Sequence, residues 1–137
     1  MESLQAPEVL KKALIGAGSR MAAAKGTFLF RRGDDDKGIF LVISGKVRLG
    51  LGKNPAGFPT RELGPGAVLG LPATLSHSLY SLSAEVIEDS EVVFLSRTRT
   101  LALLREHTPL CLEVMSLLSE ELARTRGALS RIRKVKA

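Results

Sequence analysis

Ile39-Phe40-Leu41-Val42-Ile43-Ser44-Gly45-Lys46-Val47 is the stretch that carries the fold. Five apolar residues in a row, β-branched and aromatic types among them, lead to a small polar residue and a glycine, after which the apolar pattern resumes. Such a run predicts two strands meeting at a tight hairpin, with glycine supplying the positive φ. The same texture continues outward on both sides. Short apolar runs at 27–30, 39–44, 46–51, 60–63, 67–69, 80–88 and 91–96 are separated by glycine, proline, asparagine and aspartate. Strands this short at this spacing indicate a sandwich or small barrel. Asn54-Pro55-Ala56-Gly57 and Glu88-Asp89-Ser90 read as two further turns.

Helical periodicity brackets this β region. Pro7 suits a first helical turn, and Val9, Leu10, Ala13 and Leu14 follow at helical spacing. Gly16 and Gly18 are expected to break that helix, and 19–25 to add a short helical turn with Met21 inward. Ser96 is a capping residue for a helix through Leu101, Leu103 and Leu104 that stops near His107, and Thr108-Pro109 opens another. In this last helix Met115, Leu118, Leu122, Thr125, Leu129 and Ile132 are separated by 3, 4, 3, 4 and 3 residues. That alternation is a coiled-coil seam. It runs nearly to Ala137, past what a barrel of this size covers, and so predicts a homodimer through residues 110–132. The expected organisation is one domain: helical segment 1–25, barrel 26–96, short helix 97–107 and dimerisation helix 108–135.

Composition bounds the function. At 137 residues the chain is one domain's length. No apolar stretch approaches the roughly 20 residues that a membrane span needs. The start Met1-Glu2-Ser3-Leu4-Gln5-Ala6-Pro7 lacks the features of a signal peptide, so a cytoplasmic location is expected. Cys111, the one cysteine, excludes an internal disulfide and reads as a structural helix residue between Leu110 and Leu112. The net charge of +6 lies wholly in Arg124, Arg126, Arg131, Arg133, Lys134 and Lys136, because residues 1–123 carry 14 basic and 14 acidic side chains. A basic helix end complements the macrodipole and also suits a link to a nucleic-acid-binding element.

Three glycine-bearing stretches occur in a telling order: Gly26-Thr27-Phe28-Leu29-Phe30-Arg31-Arg32-Gly33-Asp34, the 39–47 stretch, and Leu63-Gly64-Pro65-Gly66-Ala67-Val68-Leu69-Gly70. Together with the order helix, barrel, short helix and long helix, they resemble the cyclic-nucleotide-binding domain of the catabolite-activator (CRP/FNR-type) regulators. The resemblance implies a mainly β fold with flanking helices, a double-stranded β-helix (jelly-roll) barrel followed by a long C-terminal dimerisation helix. It also implies a phosphate-binding cassette after Gly70. Nucleotide-binding members follow this glycine with a glutamate for the ribose hydroxyl and later place an arginine on the cyclic phosphate. Here Leu71 and Pro72 follow Gly70, and Tyr80 falls at the arginine position with Ser81 beside it. A buried phosphodiester without a cation forfeits charge-assisted pairing, so cyclic AMP or cyclic GMP is not expected in the usual pose. The expected pocket comprises Leu69, Gly70, Leu71, Pro72, Ala73, Tyr80, Ser81 and Leu82, with Leu118 and Leu122 closing it, and holds a small uncharged or weakly anionic ligand or none.

Other chemistries find little support. Ser76, His77, Ser78 and Tyr80 read as a polar surface loop, since no spacing supplies a nucleophile, a base and a group to orient it. No catalytic residue and no enzyme activity are expected. Asp34-Asp35-Asp36 lacks the ligand spacing of a calcium loop and reads as a solvated acidic turn. His77 and His107 lie far apart with no second cysteine, so no metal site is expected, and nothing points to haem or another cofactor. The resemblance places a helix-turn-helix domain after the long helix, for which the chain to Ala137 leaves no room; direct sequence-specific DNA binding is therefore not expected. A small-molecule ligand or a partner protein is.

Overall fold

The computed structural model describes residues 8–51, 60–107, 111, 114 and 115. The elements run α1 (Glu8–Ala17), β1 (Ser19–Ala23), β2 (Phe28–Phe30), β3 (Gly38–Gly50), β4 (Arg61–Leu63), β5 (Val68–Leu69), α2 (Leu71–Ser76), β6 (Ser83–Ser96) and α3 (Arg97–Glu106). The two long strands β3 and β6 pair antiparallel from Gly38↔Ser96 to Gly50↔Ser83 and form the spine. In the order β1-β6-β3-β4, β2 also joins β6 and β5 also joins β3. Such branching is what a rolled sheet produces, because one long strand serves different neighbours along its length. The mainly β fold with flanking helices is as expected.

The unbroken apolar run at 39–43 has a physical cause. Phe40 and Val42 face the interior of the roll, where they meet Phe30, Leu69 and Tyr80. Ile39 and Leu41 face the other way, onto Leu10 and Leu14 of α1 and Val114. Both faces are covered there, so both parities are apolar. Past Gly45 only the inner face is covered: Val47 and Leu49 are buried, whereas Lys46 and Arg48 form ion pairs with Glu62, Glu85 and Glu88 on the outer face. The pattern accordingly becomes alternating.

Four local expectations are corrected. Ser44-Gly45 is not a hairpin, because β3 runs straight through it and bends instead. Glu88-Asp89-Ser90 is likewise no turn but part of the 14-residue β6. The two bends face one another, and the register shifts there. Gly45 has φ +95°, and a Cβ on it would collide with Ser90 Oγ and stand 2.6 Å from the Asp89 carbonyl. Ser90 Oγ completes the crossing by accepting from Lys46 N at 3.1 Å and donating to the Glu88 carbonyl at 2.7 Å. A glycine between apolar runs thus marks a bulge here, which serves strand crossing as well as a hairpin corner would. Third, residues 19–23 form strand β1 against β6, with Met21 opposite Val92 and 44% exposed rather than inward. Fourth, Gly16 does not break α1, which continues to Ala17.

The helix capped by Ser96 is present as α3, with Ser96 Oγ accepting from Arg99 N at 3.2 Å. No helix among the described residues is long and apolar enough to cross a membrane. The turn expected at 54–57 and the seam residues Leu118, Leu122, Thr125, Leu129 and Ile132 lie outside the described residues, as does the basic segment 124–136.

Candidate ligand site

The segment after β5 positions the candidate site. Gly70 adopts the left-handed conformation at φ 84° and starts α2, a helix with proline in its first turn. A Cβ on Gly70 would lie 3.0 Å from the Gly38 carbonyl and 3.1 Å from the Tyr80 ring. Glycine is therefore required both for the turn and for the close approach of two backbone segments.

Tyr80 occupies the middle of the site and is 2% exposed. Its ring stacks on Phe30 with centroids 4.0 Å apart and planes 13° apart. Its hydroxyl donates to the Gly38 carbonyl at 2.8 Å and accepts from Lys37 N at 3.0 Å and Gly38 N at 3.2 Å. One donor and two acceptor positions are all that a phenol has, so this hydroxyl is saturated. The flanking backbone is also tied down: Tyr80 N donates to the Asp34 carbonyl at 3.0 Å, and Gly33 N donates to the Tyr80 carbonyl at 2.8 Å. The expected polar surface loop therefore holds Ser76, His77 and Ser78, which are exposed, but not Tyr80, which is a core residue.

The other expected pocket residues divide. Leu69 and Ala73 are buried in the same inner cluster as Tyr80, and Leu82 packs against it. Leu71 is 4% exposed but belongs to the opposite cluster, with Leu10 and Leu14 of α1. Pro72 and Ser81 are exposed. Arg61 had no part in the sequence reading. It stands opposite Leu49 in the β3–β4 ladder, two residues from buried Leu63, and so carries a cation on the inner-face parity of β4.

A second cluster sits at the far end of α2. His77 caps that helix in the left-handed conformation at φ 55°, the one positive φ outside glycine among the described residues. His77 Nδ1 lies 3.0 Å from Asp36 Oδ2, and Arg97 Nε lies 3.9 Å from Asp36 Oδ1 while donating to the Thr74 carbonyl at 3.0 Å. The Asp36 side chain is only 4% exposed, which corrects the reading of residues 34–36 as wholly solvated. Asp36 Oδ1 and Thr74 Oγ1 are buried without hydrogen-bond partners. Three consecutive aspartates are equivalent in sequence, and only the path of the β2–β3 loop turns the third inward.

An open cleft of about 430 Å³ lies elsewhere, on the outer sheet face between Lys25, Lys46, Arg48, Glu62, Glu85 and Glu88. Lys46 and Arg48 pair there with the three glutamates at 3.5–4.0 Å. No three metal-ligating side chains converge among the described residues.

Known proteins give this geometry a family. Residues 20–107 match the cyclic nucleotide-binding domain. The cyclic AMP receptor protein of Thermus thermophilus is 38% identical over 84 residues, 59% of this chain and 38% of that protein. The crystal structure of the Thermus thermophilus catabolite activator protein superposes with a TM-score of 0.71 at 35% identity, covering 96% of this chain and 60% of that one. A lysophospholipase of Neurospora crassa is 28% identical over 95 residues, 69% of this chain. The chain spans 6% of the length of that lysophospholipase and 38% of the receptor protein. With the family's domain covering most of its described residues and its likeness in sequence and structure to a catabolite activator, this chain belongs to the cyclic nucleotide-binding domain family.

Proposed function

We propose that this chain is a cytoplasmic, non-enzymatic regulatory domain that senses a small uncharged or weakly anionic molecule and does not hold cyclic AMP or cyclic GMP in the family's usual way. The observation that carries this reading is the pair Leu71 and Tyr80. They stand where the resemblance expects the ribose-binding acid and the phosphate-binding arginine, and both are buried, at 4% and 2% exposure. A leucine facing α1 and a tyrosine whose hydroxyl is saturated offer a cyclic phosphate no charge. Leu69, Gly70, Ala73 and Tyr80 are the inner part of the proposed pocket. Titration calorimetry with cyclic AMP and cyclic GMP is the test: absent or millimolar binding is expected, and micromolar binding would overturn the reading.

Ligand state would reach a second subunit through the C-terminal helix. Val114 is 4% exposed against its own barrel, whereas Met115, the first residue of the seam, is 63% exposed. A seam that begins by facing away from its own domain supports a homodimer. A second reading, a DNA-linked regulator, draws on the wholly basic segment 124–136. Its signature is salt-dependent, sequence-independent retardation of DNA that disappears when residues 124–137 are removed; no retardation at low salt dismisses it.

A further inference from the structure

We propose that Arg97 is a two-position latch on α2. In one position its side chain holds the Thr74 carbonyl; in the other it transfers to the Asp36 carboxylate when α2 shifts, so that the position of α2 is passed to the first turn of α3. The proposal rests on the sensory reading only for what moves α2, a ligand seated against Gly70 and Ala73. Thr74 lies in the C-terminal half of α2, where the last carbonyls of a helix have no partner within it. Arg97 Nε supplies the donor, at 3.0 Å. That nitrogen carries one hydrogen, so while it serves Thr74 it does not serve Asp36 Oδ1, which lies 3.9 Å away and past hydrogen-bond range. Asp36 Oδ1 is buried without a hydrogen-bond partner. The charged acceptor is the stronger of the two, and the place of α2 is what keeps the donor from it.

The anchoring of the three elements decides which of them moves. The Arg97 amide donates to the Lys37 carbonyl at 3.1 Å, and Gly38 pairs with Ser96, so the start of α3 is fixed to the loop that carries Asp36. The looser body is α2, six residues long, entered at Gly70 and left at His77, both in the left-handed region. Its C-terminal end stays attached through His77 Nδ1, 3.0 Å from Asp36 Oδ2. A shift of α2 withdraws the Thr74 carbonyl and leaves Arg97 Nε about 1 Å of travel from a hydrogen bond with Asp36 Oδ1. Thr74 Oγ1, also buried without a hydrogen-bond partner, gains water in the same movement. One displacement thus satisfies both orphaned oxygens.

The experiment uses the full chain without ligand and reads nitrogen relaxation dispersion and amide hydrogen exchange. Wild type should show millisecond exchange at Arg97 Nε and at the Thr74 amide, from a second form populated at about 0.1–10%. Asp36→Asn keeps the size and the His77 contact and removes the charge that draws Arg97 from Thr74. The dispersion should vanish, and hydrogen exchange at the Thr74 and Ser78 amides should slow about fivefold, the margin of a charged over a neutral acceptor. A purely structural bridge predicts the opposite sign, faster exchange at those amides once the charge is lost. Arg97→Gln keeps a donor for Thr74 without the charge; it should likewise abolish the dispersion, and it decides the matter if Asp36→Asn does not fold. No dispersion in wild type, dispersion that survives either substitution, or faster hydrogen exchange in Asp36→Asn overturns the latch and leaves the sensory reading intact. Micromolar binding of cyclic AMP overturns the ligand reading and leaves a latch with these signatures standing.

Discussion

At the scale of single residues, the candidate site is governed by which atoms are left without partners. Tyr80→Phe keeps the stacked ring and strips three polar groups, the Gly38 carbonyl and the Lys37 and Gly38 amides, of their partner. The expected cost is about 1–3 kcal/mol in denaturant unfolding with an unchanged m-value. Leu71→Glu restores the acid that nucleotide-binding relatives carry, but it puts a carboxylate among Leu10, Leu14 and Val93 rather than in the inner pocket. It should destabilise by about 3–5 kcal/mol, the penalty of an uncompensated buried charge, and confer no nucleotide affinity; a folded variant that binds cyclic AMP would refute this placement. Glu8 supplies a smaller, pH-dependent effect. Its hydrogen bond and ion pair with Lys11, at 2.8 Å in the first turn of α1, hold its carboxyl below the usual range. A lowered carboxylate stabilises above its unfolded value, and the contribution disappears as pH falls through the folded one. An NMR titration of Glu8 should show the lowered midpoint, and Lys11→Ala should return it toward the ordinary value.

At the scale of elements, α2 depends on contacts at both ends. Its start needs Gly70, and its end is held by Asp36, which lies beside both His77 of the cap and Arg97 of α3. A histidine in the left-handed region costs about 1–2 kcal/mol, and its hydrogen bond to Asp36 returns about 0.5–1.5 kcal/mol. His77→Gly should therefore be neutral or slightly stabilising, whereas His77→Ala keeps the strain, loses the bond and destabilises. Asp36→Ala releases both arms. Amide hydrogen exchange should accelerate at Thr74 and Ser78, whose amides bond within the α2 turn, and remain unchanged at Val92 and Val93 in the middle of β6. Equal acceleration in the sheet would mean that Asp36 supports the whole barrel rather than α2.

At the scale of the whole molecule, the proposed seam divides the chain after α3 between its own barrel and a second subunit. The neighbours Val114 and Met115 diverge, one buried on the barrel and the other facing solvent. Leu122→Glu, seven residues beyond Met115 in the seam, should convert a dimer to a monomer in analytical ultracentrifugation at micromolar concentration while leaving the barrel's melting transition in place. An unchanged sedimentation coefficient would argue against the seam as the subunit contact.

Much of this was legible in the chain before folding. The apolar periodicities at 39–49 and 91–96, the cap at Ser96 and the amphipathic face of α1 report local geometry, and local geometry is what spacing encodes. Composition likewise located the basic excess in residues 124–136. The bends at Gly45 and Ser90 were misread as two separate turns because each satisfies the chemistry of a turn; they become bulges only because they cross one another in the sheet. Residues 19–23 read as helix for a similar reason, since their strand character comes from the edge of β6 that they join. The site depends on such non-local meetings throughout. Spacing put Leu71 beside Gly70 and Tyr80 ten residues on, but it had no means of sending one to α1 and the other into the roll. Which face a side chain takes, and which of three aspartates turns inward, follows from close packing between segments far apart in sequence.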